Sequence, residues 1–239
     1  MSKYGLTDDT VTLKNGKVLH RIQALRDFGR VKAGDLGGYI EKEDNLSHEG
    51  DCWVDDDAKV FGKARVYEHA RVFDNARVFG DAWVFGDAWV SWDAWVTGDA
   101  WVSGNAWVKD NAGVFGSAWV YDSARVFGDA WVYEDAEVFG DAWVRDNAKV
   151  YGDAWVSQNA MVLDNAQVYG KAQVLDNAWV SGAAWVYGKA QVFDDARVYG
   201  NARVLGKAQV FENAWVYGKA RVFDDAKVRG NVAGGMVYE

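Results

Sequence analysis

The chain has 239 residues, half of them apolar, and carries 35 acidic against 26 basic side chains for a net charge of -9. An acidic surface repels phosphate backbones, which excludes nucleic acid as a partner, and no apolar run approaches the eighteen residues of a membrane-spanning helix. One cysteine, Cys52, leaves no internal disulfide framework, and Met1-Ser2-Lys3-Tyr4 lacks the apolar core of a signal peptide, so the expected location is the cytoplasm, or a virion if the chain is phage-encoded.

Residues 1–50 are charge-balanced, with eight basic and eight acidic side chains, so the whole net charge lies beyond Gly50. Within them Thr10-Val11-Thr12-Leu13 and Lys17-Val18-Leu19-His20-Arg21-Ile22 flank Asn15-Gly16, a strong hairpin signal. This segment is expected to be an N-terminal β cap.

Residues 51–230 obey one rule. Every sixth residue from Val54 to Val228 is valine, thirty in all, and alanine stands four residues after each through Ala226. In the commonest unit, Asp81-Ala82-Trp83-Val84-Phe85-Gly86, alanine and valine are two apart, which is the alternation of a half-buried strand with Trp83 and Phe85 outward. Glycine with the Asp, Asn or Lys after it turns the corner, because glycine adopts positive φ freely and Asp or Asn tolerates it. A glycine-rich corner in every six residues cannot supply the apolar stripe of an amphipathic helix. The period predicts an all-β, single-stranded parallel β-helix: a triangular β-solenoid of eighteen residues per coil and about ten coils. A small Ala/Val interior filled this regularly has no space for a ligand, so function belongs on the outside or at the ends.

With eighteen residues per coil, outward residues eighteen apart stack. One such column runs Phe61, Phe79, Thr97, Phe115, Tyr133, Tyr151, Tyr169, Tyr187, Leu205, Phe223. Stacked rings stabilise neighbouring strands, and a long apolar stripe also suits a protein partner. Thirteen of the fourteen tryptophans stand between the alanine slot and valine, while Trp92 alone takes a corner. The candidate interaction surface is Trp83, Trp101 and Trp119 in three successive coils, beside Phe85 and Tyr121, because tryptophan is frequent in binding hot spots. A second candidate is a shallow notch of Trp95, Thr97, Gly113 and Trp131, where Gly113 removes a side chain between two column neighbours and a sugar or flat ring could stack.

An aliphatic residue with a small residue four positions later, as in Val54 to Ala58 and Val60 to Ala64, resembles the hexapeptide-repeat left-handed parallel β-helix superfamily over about three quarters of the chain. One departure is that glycine comes one position later than in many members, so handedness is what the resemblance implies. Asp35-Leu36-Gly37-Gly38-Tyr39-Ile40-Glu41 and Asn45-Leu46-Ser47-His48-Glu49-Gly50 are also similar to the start of uncharacterised bacterial and prophage hexapeptide-repeat proteins.

The superfamily includes acyltransferases with a histidine general base and zinc enzymes with three histidine ligands. This chain has only His20, His48 and His69, and no loop breaks the repeat to build a substrate cleft. The histidine spacing matches no metal motif, and the Asp/Asn corner columns read as hydrogen-bonded turns rather than calcium sites. No catalytic, cofactor-binding or metal residue is assigned and no cofactor is expected. Residues 231–239 form a short tail in which Val232 takes the alanine slot and Gly234 the valine slot. So thin a cap suggests end-to-end pairing of the last coils, with side-by-side trimers as the competing assembly. The reading is a non-enzymatic structural or protein-interaction solenoid that forms homo-oligomers, with an acyltransferase-like enzyme and a small-ligand or carbohydrate binder as the alternatives.

Overall fold

A computed structural model describes residues 2–238; Met1 and Glu239, the outermost residues of the expected cap and tail, lie outside the described residues. Strands β1 (Tyr4–Thr12) and β2 (Val18–Ala24) pair antiparallel, with Thr12 opposite Val18. Leu13 N–H donates to Lys17 O at 2.8 Å, and Gly16 closes the loop at φ 85°, the conformation for which Asn15-Gly16 is suited. β2 then pairs with β3 (Leu36–Ile40), and a short 3₁₀ turn at Glu43–Asn45 leads into the repeats.

Thirty short strands follow, from β4 (Trp53–Val54) to β33 (Lys227–Val228), and a last one, β34 (Met236–Val237), lies in the tail. Each pairs parallel with the strand eighteen residues away, as Trp83 with Trp101 and Val84 with Val102. The result is three sheets wound into one column. Side 1 takes in Lys59–Val60, Arg77–Val78, Trp95–Val96 and onward, side 2 starts at Trp53–Val54, and side 3 starts at Arg65–Val66. Sides 2 and 3 have ten strands each, and side 1 has fourteen because β1, β2, β3 and β34 extend it.

The alanines and valines fill the interior of this column almost without exposure, from Val54 to Val222. Each side is tied to the next coil by backbone bonds such as Trp83 N to Ala100 O, Phe85 N to Val102 O and Asp87 N to Gly104 O, at 2.9, 3.0 and 2.8 Å. Every corner from Asp56 to Asp224 has a residue in the left-handed region. Glycine serves at Gly86 (φ 71°), whereas Asp74 (φ 58°) and Asp164 (φ 59°) also adopt it. An acidic corner earns a bond that glycine cannot make: Asp164 Oδ2 accepts the Gly182 N–H of the next coil at 2.9 Å, and Asp110 does the same for Gly128 at 3.0 Å.

The cap closes the first coil by close approach. β3 pairs parallel with Lys59–Val60, Leu46 bridges to Val66, and Asn45 Nδ2 donates to Ala64 O at 2.9 Å. A Cβ on Gly37 would lie 2.5 Å from Val54 O and 2.6 Å from both Ile22 and Trp53, so glycine is required there for packing rather than for φ. Trp53, although in the same slot as the outward tryptophans, is buried beneath Phe28 and Tyr4.

The tail departs from the register read in the sequence. Val232 does not take an alanine slot; it bridges to Val216, and β34 pairs Val237 with Val222. Sixteen and fifteen residues thus do the work of eighteen. Gly230 and the Gly234-Gly235 pair lie in these abbreviated corners, with Gly235 at φ 81°. The tail therefore covers sides 2 and 1 of the last coil, while Lys227–Val228 remains the edge of side 3 among the described residues.

Candidate functional site

The outward side chains form ladders. On side 1, Phe61 stacks on Phe79 at 4.9 Å, and Phe115, Tyr133, Tyr151, Tyr169 and Tyr187 form a continuous stack at 4.8 to 5.0 Å. Thr97 is the break between these two runs. A second contact crosses the coils diagonally: Phe79 meets Trp95 edge-on at 6.4 Å, Phe85 meets Trp101 at 6.0 Å and Phe127 meets Trp143 at 5.9 Å. In these pairs the aromatic residue after a valine supports the tryptophan sixteen positions later.

On side 3 the candidate interaction surface assembles as a ladder. Trp83, Trp101 and Trp119 are parallel within 7° at 5.3 and 5.0 Å, with Phe85 edge-on to Trp101 and Tyr121 edge-on to Trp119. The Tyr121 hydroxyl donates to Glu137 Oε2 at 3.1 Å. Burial, then that bond and the Glu137 charge, pushes the phenol up to about 12. Trp101 has an indole on each face; Trp119 is the exposed end of the stack.

A tryptophan–X–tryptophan sandwich occurs in seven places, with Arg71, Trp101, Gly113, Arg125, Glu137, Met161 or Arg197 between two tryptophans one coil above and below. Two show what fits. The Arg125 guanidinium lies 5.0 and 5.3 Å from the rings of Trp107 and Trp143, and Arg197 lies 5.5 and 5.4 Å from Trp179 and Trp215.

The notch on side 1 is the sandwich without a filling. Trp95, Thr97, Gly113 and Trp131 line one groove of about 600 Å³, together with Phe79 and Phe115. Trp95 and Trp131 are 50 and 44% exposed. Their outer faces are covered by Arg77, 5.7 Å from the Trp95 ring, and Lys149, 4.8 Å from that of Trp131. Asp93 and Asn111 also line the groove and supply its polar rim.

The histidines are dispersed. His48 stacks on Tyr4 at 4.4 Å and its Nδ1 accepts the Lys3 N–H at 3.2 Å, which leaves the proton of the neutral ring on Nε2, 4.0 Å from Glu43. In that tautomer the outward nitrogen is a donor and not a base. A groove of about 550 Å³ runs past His48 to Arg65, Tyr67 and Trp83. His69 pairs with Asp51 at 3.8 Å on the surface, and His20 contacts Thr7 O. Among the described residues no group of three His, Cys, Asp or Glu side chains could hold a metal ion.

A sequence profile of the YdcK beta solenoid repeat matches residues 70–86, 190–206 and 196–212. The chain is a β-solenoid repeat protein. It is similar to the protein named "Uncharacterized acetyltransferase YdcK" of Escherichia coli (strain K12), at 37% identity over 70 residues. The match covers 26% of this chain and 22% of that relative, so the chain spans about a fifth of the relative's length.

Some features of the solenoid escaped the sequence. Lys3 is buried, its Nζ donating to Cys52 O at 2.8 Å and lying 3.1 Å from Cys52 Sγ. Burial, opposed by Cys52, holds the Lys3 ammonium below its usual range; burial likewise raises the Cys52 thiol, opposed by Lys3. The only signal was that Cys52 replaces an alanine. Among the described residues no helix is long and apolar enough to cross a membrane.

Proposed function

We propose that this β-solenoid is a non-enzymatic structural or protein-interaction module that self-associates through its aromatic faces. The observation that carries the reading is an unbroken column whose outside holds half-exposed tryptophans, Trp95, Trp119 and Trp131 among them, in regular ladders. A rigid array of indoles on a scaffold without inserted loops suits a flat partner surface better than a substrate cleft. The aromatic faces support association better than the C-terminal end, because the side 3 edge left there among the described residues is two residues long, carries Lys227 and is followed by Arg229, a usual way of blunting strand edges. Light scattering across a concentration series tests this: a mass above that of one chain is expected, and a single-chain mass at the highest concentration overturns it.

A second reading follows from the relative's name and the His48 groove. If the solenoid transferred acetyl groups, His48 would act beside Arg65 and Tyr67, and its Nε2 would have to shed the proton that the Lys3 contact places there. Incubation with an acetyl thioester and a panel of amine and hydroxyl acceptors tests it. Turnover lost in His48→Ala would replace the first reading with this one.

A further inference from the structure

Two irregularities of this chain lie side by side. The first is the empty sandwich: the tryptophan–X–tryptophan position is filled by a long side chain in six of its seven occurrences, and at Gly113 it holds none. The nearest atoms a Cβ there would meet are those of Phe115 and Trp131 at ordinary distances of 3.5 and 3.6 Å, and Gly113 is not at positive φ, so neither crowding nor backbone demands glycine. The gap is indole-sized. Trp83 and Trp119 enclose Trp101 at 5.3 and 5.0 Å, and Trp95 and Trp131 stand on strands the same two steps apart, about 10 Å by strand spacing, with no side chain on the residue between them.

The second irregularity is Trp92. It occupies a corner at φ 59°, where the other non-glycine residues are Asp, Glu or Gln. A bulky side chain in the left-handed region is a true outlier, costing on the order of 1 to 3 kcal/mol. Trp92 also breaks the corner ladder: its N–H donates to Asp74 Oδ2 at 3.0 Å, but an indole has no oxygen to offer the next coil. It is the most exposed large apolar side chain among the described residues, at 59%. Among the described residues its ring stacks on no other aromatic side chain, and it stands three residues before Trp95, at the corner leading onto side 1.

Resting on the self-association reading, we infer that two copies pair side by side with the Trp92 indole of each seated between Trp95 and Trp131 of the other. Both the projecting ring and the empty slot lie on one patch, within about 10 Å along the chain, as a two-fold contact requires of a surface that meets itself. The inserted indole completes on side 1 the triple stack that side 3 makes alone. Asp93, on the rim of the slot, offers a carboxylate to the indole N–H.

Sedimentation equilibrium of the full chain and two variants tests this. Trp92→Asp installs the residue that nine other left-handed corners already carry, and Gly113→Trp fills the slot with the repeat's own commonest aromatic, so both should fold at least as well as the parent by thermal unfolding. If Trp92→Asp were to unfold, Trp92→Gly replaces it. Each variant is expected to weaken dimerisation at least tenfold, and the double variant no more than either alone, because both remove one contact. A parent that dimerises as tightly as Trp92→Asp or Gly113→Trp overturns the inference and leaves self-association standing. A monomeric parent overturns the self-association reading itself.

Discussion

Val126→Ala tests how the column holds together. Val126 lies mid-column on side 2, fully buried, paired with Val108 below and Val144 above. The substitution removes two carbons, about 1.6 kcal/mol of transfer free energy at roughly 0.8 kcal/mol each. The walls cannot close on the gap, because Lys109 N–H donates to Val126 O and Phe127 N–H to Val144 O, both at 3.0 Å, pinning the strand from both sides. An unrelaxed cavity adds about 1 kcal/mol, for a total of about 2 to 3 kcal/mol. Val228→Ala on the last strand of side 3, with no strand beyond it among the described residues, should cost less than half of that. Urea unfolding followed by near-ultraviolet circular dichroism measures both, comparing midpoints at unchanged slope because long repeat arrays lose two-state behaviour. Equal costs below about 1 kcal/mol for both variants would refute a close-packed Ala/Val interior.

Three further outcomes are expected. Gly37→Ala places a Cβ against Val54 O, Ile22 and Trp53 at once, so overpacking should cost about 1 to 3 kcal/mol and loosen the cap, seen as faster amide hydrogen exchange in β2 and β3 than in the parent. The outward tyrosines should cost the column stability in alkali: burial raises Tyr133, Tyr151 and Tyr169 on side 1 and Tyr67 on side 3 above 10.0, and Tyr121 on side 3 rises to about 12. The unfolded chain therefore releases these protons first, and stability should fall as pH rises from 10 toward 12; Tyr121→Phe should flatten that fall, and an unchanged slope of unfolding midpoint against pH would count against it. Cys52, buried with its thiol raised by burial, should resist thiol reagents at pH 8 until the cap opens, so labelling as fast as in the unfolded chain would contradict the Lys3–Cys52 packing.

How much was legible in the sequence depended on range. The six-residue period placed the slot valines and alanines from Val54 to Val228 inward and paired their strands eighteen residues apart, because strand alternation and coil length are repeated thirty times without interruption. Asn15-Gly16 announced its hairpin for an equally local reason, and Trp95, Thr97, Gly113 and Trp131 converge on one groove because columns follow from the coil length alone. The diagonal Phe79–Trp95 contact did not follow, since it depends on how side chains lean along the strand. Trp53 obeys the repeat and is buried nonetheless, because the cap folds over it from Gly37 and Phe28. The tail misled for a related reason: once corners are shortened, counting by six no longer tells which slot Val232 takes on side 2, and it stands opposite Val216 in place of Gly234.

Self-association of a straight, loop-free column is the central claim, and small-angle X-ray scattering over a concentration series addresses mass and shape together. Ten coils at about 4.8 Å each give a single column roughly 50 Å long beyond its cap. The expected result is a particle of at least twice the chain mass at high concentration that resolves on dilution into such rods. A particle with the mass of one chain at every concentration would contradict the account.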